Sequence, residues 1–142
     1  MKLQLTLLIA TSFLAATSFN AVAAKTKCSL ATLKGTYQWT SQTSQDASAG
    51  RDYFDGKGGV VSQSSSNSST DITYTTNAYT VNEDCTGTQV GNGETYNNFI
   101  SPDGNSIYWV ETDGSTISSG IETRVSRANL LEPRVCSANS RC

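Results

Sequence analysis

Along most of the chain, apolar and polar positions alternate with a period of two, and clusters of Gly, Asn, Asp, Ser and Pro interrupt the alternation at short intervals. This pattern predicts short β-strands joined by tight turns. Thr36-Tyr37-Gln38-Trp39-Thr40 alternates polar and aromatic residues and predicts a first, half-buried strand. Residues 51–55 predict the second, and Gly56-Lys57-Gly58-Gly59 a hairpin turn whose glycines accept positive φ. Val60-Val61 opens a third strand that fades into the serine-rich stretch 64–69, expected as a loop or a solvated strand end. Ile72, Tyr74 and Thr76 share one face of the fourth strand; Tyr79 and Val81 follow one residue out of phase, which predicts a bulge near Asn77-Ala78. Residues 86–90, 95–101, 106–113 and 117–127 complete a set of eight. The turns between them fall at 82–84, 91–93, Pro102-Asp103-Gly104-Asn105 and Gly114-Ser115.

None of these segments carries a helical stripe, so there are no crossover helices to support parallel pairing, and an antiparallel meander is expected. Eight strands must protect their edges. Closure into an up-and-down barrel removes the edges altogether, and a β-sandwich is the alternative. With alternating strand directions, Cys28 and the turn containing Cys85 fall at the same end of a barrel, as does the chain leaving the eighth strand.

The N-terminus reads differently. Residues 1–24 combine Lys2, an apolar run from Leu3 to Leu14, and Ala21-Val22-Ala23 as a small-residue cleavage site after Ala23 or Ala24. Thr6, Thr11, Ser12, Thr17 and Ser18 interrupt a stretch already short for a ~30 Å hydrocarbon core, which favours an export signal over a membrane anchor. The division expected is a signal peptide over 1–24, a β-domain over 25–127 and a tail over 128–142, with no membrane span in the mature chain and a secreted or periplasmic location. In that oxidising setting the four cysteines, Cys28, Cys85, Cys136 and Cys142, predict two disulfides in one of three connectivities. Cys136 and Cys142 are close enough to close a short ring, which would leave Cys28 with Cys85.

Composition narrows the chemistry. The chain has 142 residues, a net charge of −2 and no histidine. Absent histidine excludes Ser-His-Asp and Cys-His mechanisms and imidazole-based zinc sites. No basic run supports a nucleic-acid grip. The glycine-rich stretches lie between strands and open no helix, so they are turns and not phosphate cradles. Asp55, Glu83, Asp84, Asp103 and Asp113 lie in turns without calcium-loop spacing, and no metal or cofactor is implied. Asn67-Ser68-Ser69 fits a glycosylation sequon.

Several stretches resemble a group of small secreted microbial proteins of unassigned activity: the run from Cys28 to Tyr37 (CSLATLKGTY), Phe54 to Gly58, the run from Tyr79 to Thr88 (YTVNEDCTGT) and Ser101 to Gly104. That resemblance implies Cys28 and Cys85 as a recurring pair, with the tail cysteines as an addition. The chain is also similar in pattern to the calycins, the lipocalin-like eight-stranded barrels. Gly35-Thr36-Tyr37 occupies the position of the lipocalin Gly-x-Trp with Tyr in place of Trp, and Trp39 follows on the same face. The resemblance implies a late cation, Arg124 or Arg127, against that aromatic.

The twelve aromatics are concentrated on the predicted strands. Tyr37, Trp39, Tyr53, Tyr74, Tyr96 and Trp109 are the candidates to line a barrel interior and orient a small, partly apolar ligand through their OH and NH groups. Such carriage is the leading expectation. The alternative is a solid-core module that binds a protein or glycan through its surface. A third reading is a cofactor-free cyclase or isomerase, a chemistry that lipocalin-like barrels such as the allene oxide cyclases host, with Glu111, Asp113 and Glu122 as the carboxylates near a barrel mouth.

Overall fold

A computed structural model describes residues 27–43, 46–113 and 118–131. The expected export signal, the cysteines at 136 and 142, and the turn at Gly114-Ser115 lie outside these residues. Eight antiparallel strands follow a single 3-10 turn (Leu30–Thr32): β1 Lys34–Gln42, β2 Ala47–Asp55, β3 Gly59–Ser66, β4 Ser69–Val81, β5 Thr86–Gly91, β6 Glu94–Ile100, β7 Ser106–Glu111 and β8 Ser119–Ser126. Each strand pairs with its sequence neighbours, and β8 pairs with β1 to close an up-and-down barrel. The sandwich alternative is thereby excluded.

Turn chemistry sets the strand ends. Asn92 and Gly93, at φ 56° and 81°, make the two-residue hairpin between β5 and β6. In the β2–β3 turn the Asp55 carboxylate accepts the backbone N–H groups of Lys57 and Gly59. The serine-rich stretch is regular strand on both sides of a two-residue turn at Asn67-Ser68, where the Asn67 side chain accepts the Ala47 N–H at 3.0 Å. The bulge expected near Asn77-Ala78 is not there. β3 pairs with β4 in unbroken register from Gly59↔Ala78 to Ser64↔Thr73, and the shift lies between Ser64 and Ser66. Tyr79, Asn77, Thr75 and Thr73 therefore share the inner face, and Ile72, Tyr74 and Thr76 point outward.

The interior has two tiers. At the end that carries the β2–β3, β4–β5 and β6–β7 turns, Leu33, Tyr37, Phe54, Val60, Tyr79, Ile100 and Ile107 form a buried apolar plug. Phe54 stacks edge-on against Tyr37 and Tyr79 at centroid separations of 5.1 and 5.0 Å. The 3-10 turn caps this end; Tyr79 OH donates to the carbonyls of Leu30 and Leu33. Cys28 is bonded to Cys85, and both are buried in the plug. Arg124 supplies the cation expected over the first-strand aromatic: its Cζ lies 5.3 Å from the Tyr37 ring centre, and its guanidinium donates to the Tyr37 hydroxyl and the Thr32 carbonyl. After β8 the chain folds back on β1, where Thr36 donates to Ala128 O and accepts Leu130 N–H.

Candidate functional site: a polar and aromatic cavity in the upper barrel

Above the plug, the same inward alternation supplies polar and aromatic side chains in place of aliphatic ones. They enclose a cavity of about 370 Å³ that opens at the end formed by the β1–β2, β3–β4, β5–β6 and β7–β8 connections. The interior is solid below and hollow above.

Two in-strand glycines give the cavity its aromatic walls. Gly50 lies opposite Trp39 on β2, and Gly120 lies opposite Trp109 on β8. A Cβ at Gly50 would stand 2.6 Å from Trp39 Cζ2, and one at Gly120 would stand 2.6 Å from Trp109 Cζ2. Each indole therefore lies across the bare backbone of its neighbour, a seat that a side chain would fill. Tyr96 packs edge-on against Trp109 at 5.4 Å and donates its hydroxyl to the Glu94 carboxylate.

The floor is polar. Asp52 accepts Trp39 Nε1–H at 3.0 Å and Gln89 Nε2–H at 3.3 Å. Asn77 donates to Ser62 Oγ at 3.2 Å. Glu122 sits opposite Trp39 on β8 and is 5% exposed. Burial raises its carboxyl pKa well above the usual range, and the Asp52 charge adds to the rise. Burial likewise raises Asp52, with the hydrogen bonds from Trp39, Ser62 and Gln89 acting in the opposite direction. Four buried side-chain atoms have no hydrogen-bond partner among the described residues: Asn77 Oδ1, Asn98 Nδ2, Trp109 Nε1 and Glu122 Oε2. All four belong to residues that line this cavity.

The six aromatics singled out from sequence separate into three groups. Trp39, Tyr96 and Trp109 line the cavity. Tyr37 faces inward but lies in the plug below, with its hydroxyl engaged by Gly104 O and Arg124. Tyr53 and Tyr74 are on the outer face, and Tyr74 accepts a hydrogen bond from Gln63 there. On β2 the inward positions are Asp52 and Phe54, which leaves Tyr53 between them pointing out. On β4 the phase places Tyr74 outside for the same reason. Glu111 and Glu122 line the cavity, whereas Asp113 lies in the exposed β7–β8 connection and accepts the Thr95 N–H.

Asp52, Gln89, Asn98, Asn77 and Ser62 are not discernible as site residues by hydrophobicity, because each is a polar side chain on the inward face. Phase carries the missing signal. Asp52 is two residues from the core residue Phe54, and Gln89 shares a face with Gly87 and Gly91. Comparison with known proteins finds no matching family model, no matching curated protein and no matching solved structure.

Proposed function

We propose that this chain binds a small ligand in the upper barrel, held between indole walls and a hydrogen-bonding floor. The observation that carries the reading is the clustering of the unpartnered buried atoms. Buried polar groups in folded proteins nearly always have a protein or water partner, and here the four buried side-chain atoms without a protein partner all belong to residues that line one cavity. Such convergence of a few polar groups in an aromatic pocket is the usual anatomy of a small-molecule site. The ligand is partly apolar where it meets Trp39 and Trp109 and polar where it meets Asn98 and Glu122. The Cys28–Cys85 disulfide fits an oxidising compartment, outside the cell or in a periplasm. Among the described residues no helix is long and apolar enough to cross a membrane.

The test is a mass comparison on protein purified from its native secretory compartment, run under native and then denaturing, non-reducing conditions. A discrete adduct of ligand size in the native spectrum supports binding; identical masses weigh against a tightly held ligand. Both tryptophans of the chain line the cavity, so tryptophan-selective fluorescence reports its occupancy.

A second reading has its own observation. A buried carboxyl with a raised pKa beside a cavity can give or take a proton, and burial raises the pKa of Glu122 in this way. It would support a cofactor-free isomerisation or cyclisation, distinguished from carriage by turnover of the bound compound that is lost in Glu122→Gln.

A further inference from the structure

Six carboxylates line the cavity, and among the described residues no lysine or arginine does. Asp46, Asp71, Glu94 and Glu111 stand toward the mouth; Asp52 and Glu122 are at the floor. Among the described residues none of the six is ion-paired: the pair Lys27–Glu83 lies at the capped end. The inward cation on β8, Arg124, is committed to Tyr37 and Thr32 in the plug.

Carboxylates alone would be a solvated rim. Two further observations turn them into a site. Glu122, a lining residue of the cavity, is nine-tenths buried or more, and its Oε2 has no hydrogen-bond partner among the described residues. The walls it faces are three electron-rich rings, Trp39, Trp109 and Tyr96, whose faces attract cations. A concave, low-dielectric site lined by one sign of charge also focuses its potential on the entrance. From this arrangement we infer that the ligand is a small organic cation, a protonated or quaternary amine on an aromatic or aliphatic body, with its nitrogen at Glu122 and Asp52 and its body between the indoles.

The inference rests on the ligand-binding reading and narrows it. It also assigns a proton. Besides Glu122, the titratable groups that line the cavity are Asp52 on β2, Asp71 on β4, Tyr96 and Glu94 on β6, Glu111 on β7 and Asp46 just before β2, with none from β1, β3 or β5 among the described residues. An arriving cation favours the ionised floor, so a proton leaves Glu122 for solvent as the ammonium enters, and affinity rises with pH.

The experiment titrates the full disulfide-bonded chain with phenethylammonium, phenethyl alcohol and phenylpropionate, probes that share a ring and differ in charge. Tryptophan fluorescence and calorimetry in buffers of different ionisation enthalpy are the readouts. The expected result is that the ammonium binds at least tenfold more tightly than the alcohol, that the carboxylate binds least, and that proton release accompanies the ammonium alone. Glu122→Gln, and independently Glu111→Gln should the first fail to fold, reduces the ammonium-over-alcohol ratio. Equal or tighter binding of the alcohol or the carboxylate overturns the cation assignment and leaves the cavity a ligand site. No binding by any probe, together with a native mass equal to the bare chain, overturns both.

Discussion

Adding one methyl group at position 120 perturbs the cavity wall without touching a polar side chain. A Cβ there would stand 2.6 and 2.8 Å from Cζ2 and Cε2 of Trp109 and 2.8 Å from the Thr40 carbonyl oxygen. Carbon–carbon contacts are comfortable at about 3.5–4.0 Å, so the indole has to move by roughly 1 Å toward the cavity. Overpacking of this kind costs about 1–3 kcal/mol. Gly120 does not adopt positive φ, so alanine also restricts the unfolded chain and returns about 0.4–1 kcal/mol. The net expectation for Gly120→Ala is a loss of about 1–2 kcal/mol, or a melting temperature lower by roughly 4–8 °C for a domain of this size. The decisive assay is a double-mutant cycle with Trp109→Ala, followed by urea unfolding. Without the indole, the nearest contact left to the added methyl is the Thr40 carbonyl oxygen at 2.8 Å, so Gly120→Ala should cost at least ~1 kcal/mol less in that background. Additivity within about 0.3–0.5 kcal/mol would refute the seating of Trp109 on Gly120, and with it the aromatic wall.

Three other outcomes are expected. Cys28→Ala with Cys85→Ala opens a loop of sequence separation 57, which corresponds to roughly 4 kcal/mol in the chain-entropy treatment; a loss below about 1 kcal/mol in urea unfolding would mean that the cap and plug hold that end unaided. Glu122→Gln removes a carboxyl whose folded-state pKa is raised by burial. The folded state then binds more protons than the unfolded chain, so the group's stabilisation is present in full below its unfolded pKa, about 4.3, and is lost as pH rises through the folded value. The variant should therefore exceed wild type at neutral pH and lose that advantage toward pH 4; a pH-independent difference contradicts the burial account. Arg124→Met strips the donors from the Tyr37 hydroxyl and the Thr32 carbonyl and should cost about 2 kcal/mol or more, with Tyr37 ionising at higher pH in an ultraviolet titration because burial is then unopposed by Arg124.

The fold is legible in the sequence because its local signals agree. Alternation, in-strand aromatics and turns such as Asn92-Gly93, with both residues at positive φ, point to one antiparallel meander, and strand parity alone places Cys28 and Cys85 at one end. The inner face of β4 is not legible, and the reason is physical. Hydrophobicity assigns the aromatic and β-branched residues Ile72 and Tyr74 to the interior, but the upper interior is polar, so Thr73, Thr75 and Asn77 face in and the apolar residues face out. The same inversion puts Tyr53 outside and Asp52 inside. The bulge predicted between Tyr74 and Tyr79 follows from forcing both rings onto one face. Trp39 and Trp109 are recoverable because each belongs to a strand whose apolar face continues into the plug, through Tyr37 and Ile107.

The two tiers also constrain the kind of molecule that fits. Leaving a buried donor or acceptor unsatisfied costs about 1–3 kcal/mol. The four unpartnered atoms on the cavity wall would thus cost about 4–12 kcal/mol in a dry cavity, comparable with the entire ~5–15 kcal/mol net stability of a domain. Solvent, or a ligand's own polar atoms, would relieve that cost by completing those bonds. A wholly apolar molecule would displace solvent and leave Asn98, Trp109 and Glu122 unsatisfied, whereas a ligand that reproduces their hydrogen bonds enters without that penalty. Under the proposed cation reading, an ammonium donor would answer Glu122 Oε2, whereas Asn98 Nδ2 and Trp109 Nε1 are both donors and call for an acceptor, such as a hydroxyl or carbonyl oxygen, on the same ligand. Within the proposed ligand-binding reading, the same inversion of polarity that hides β4 from a hydrophobicity reading thus argues against a lipid-like cargo.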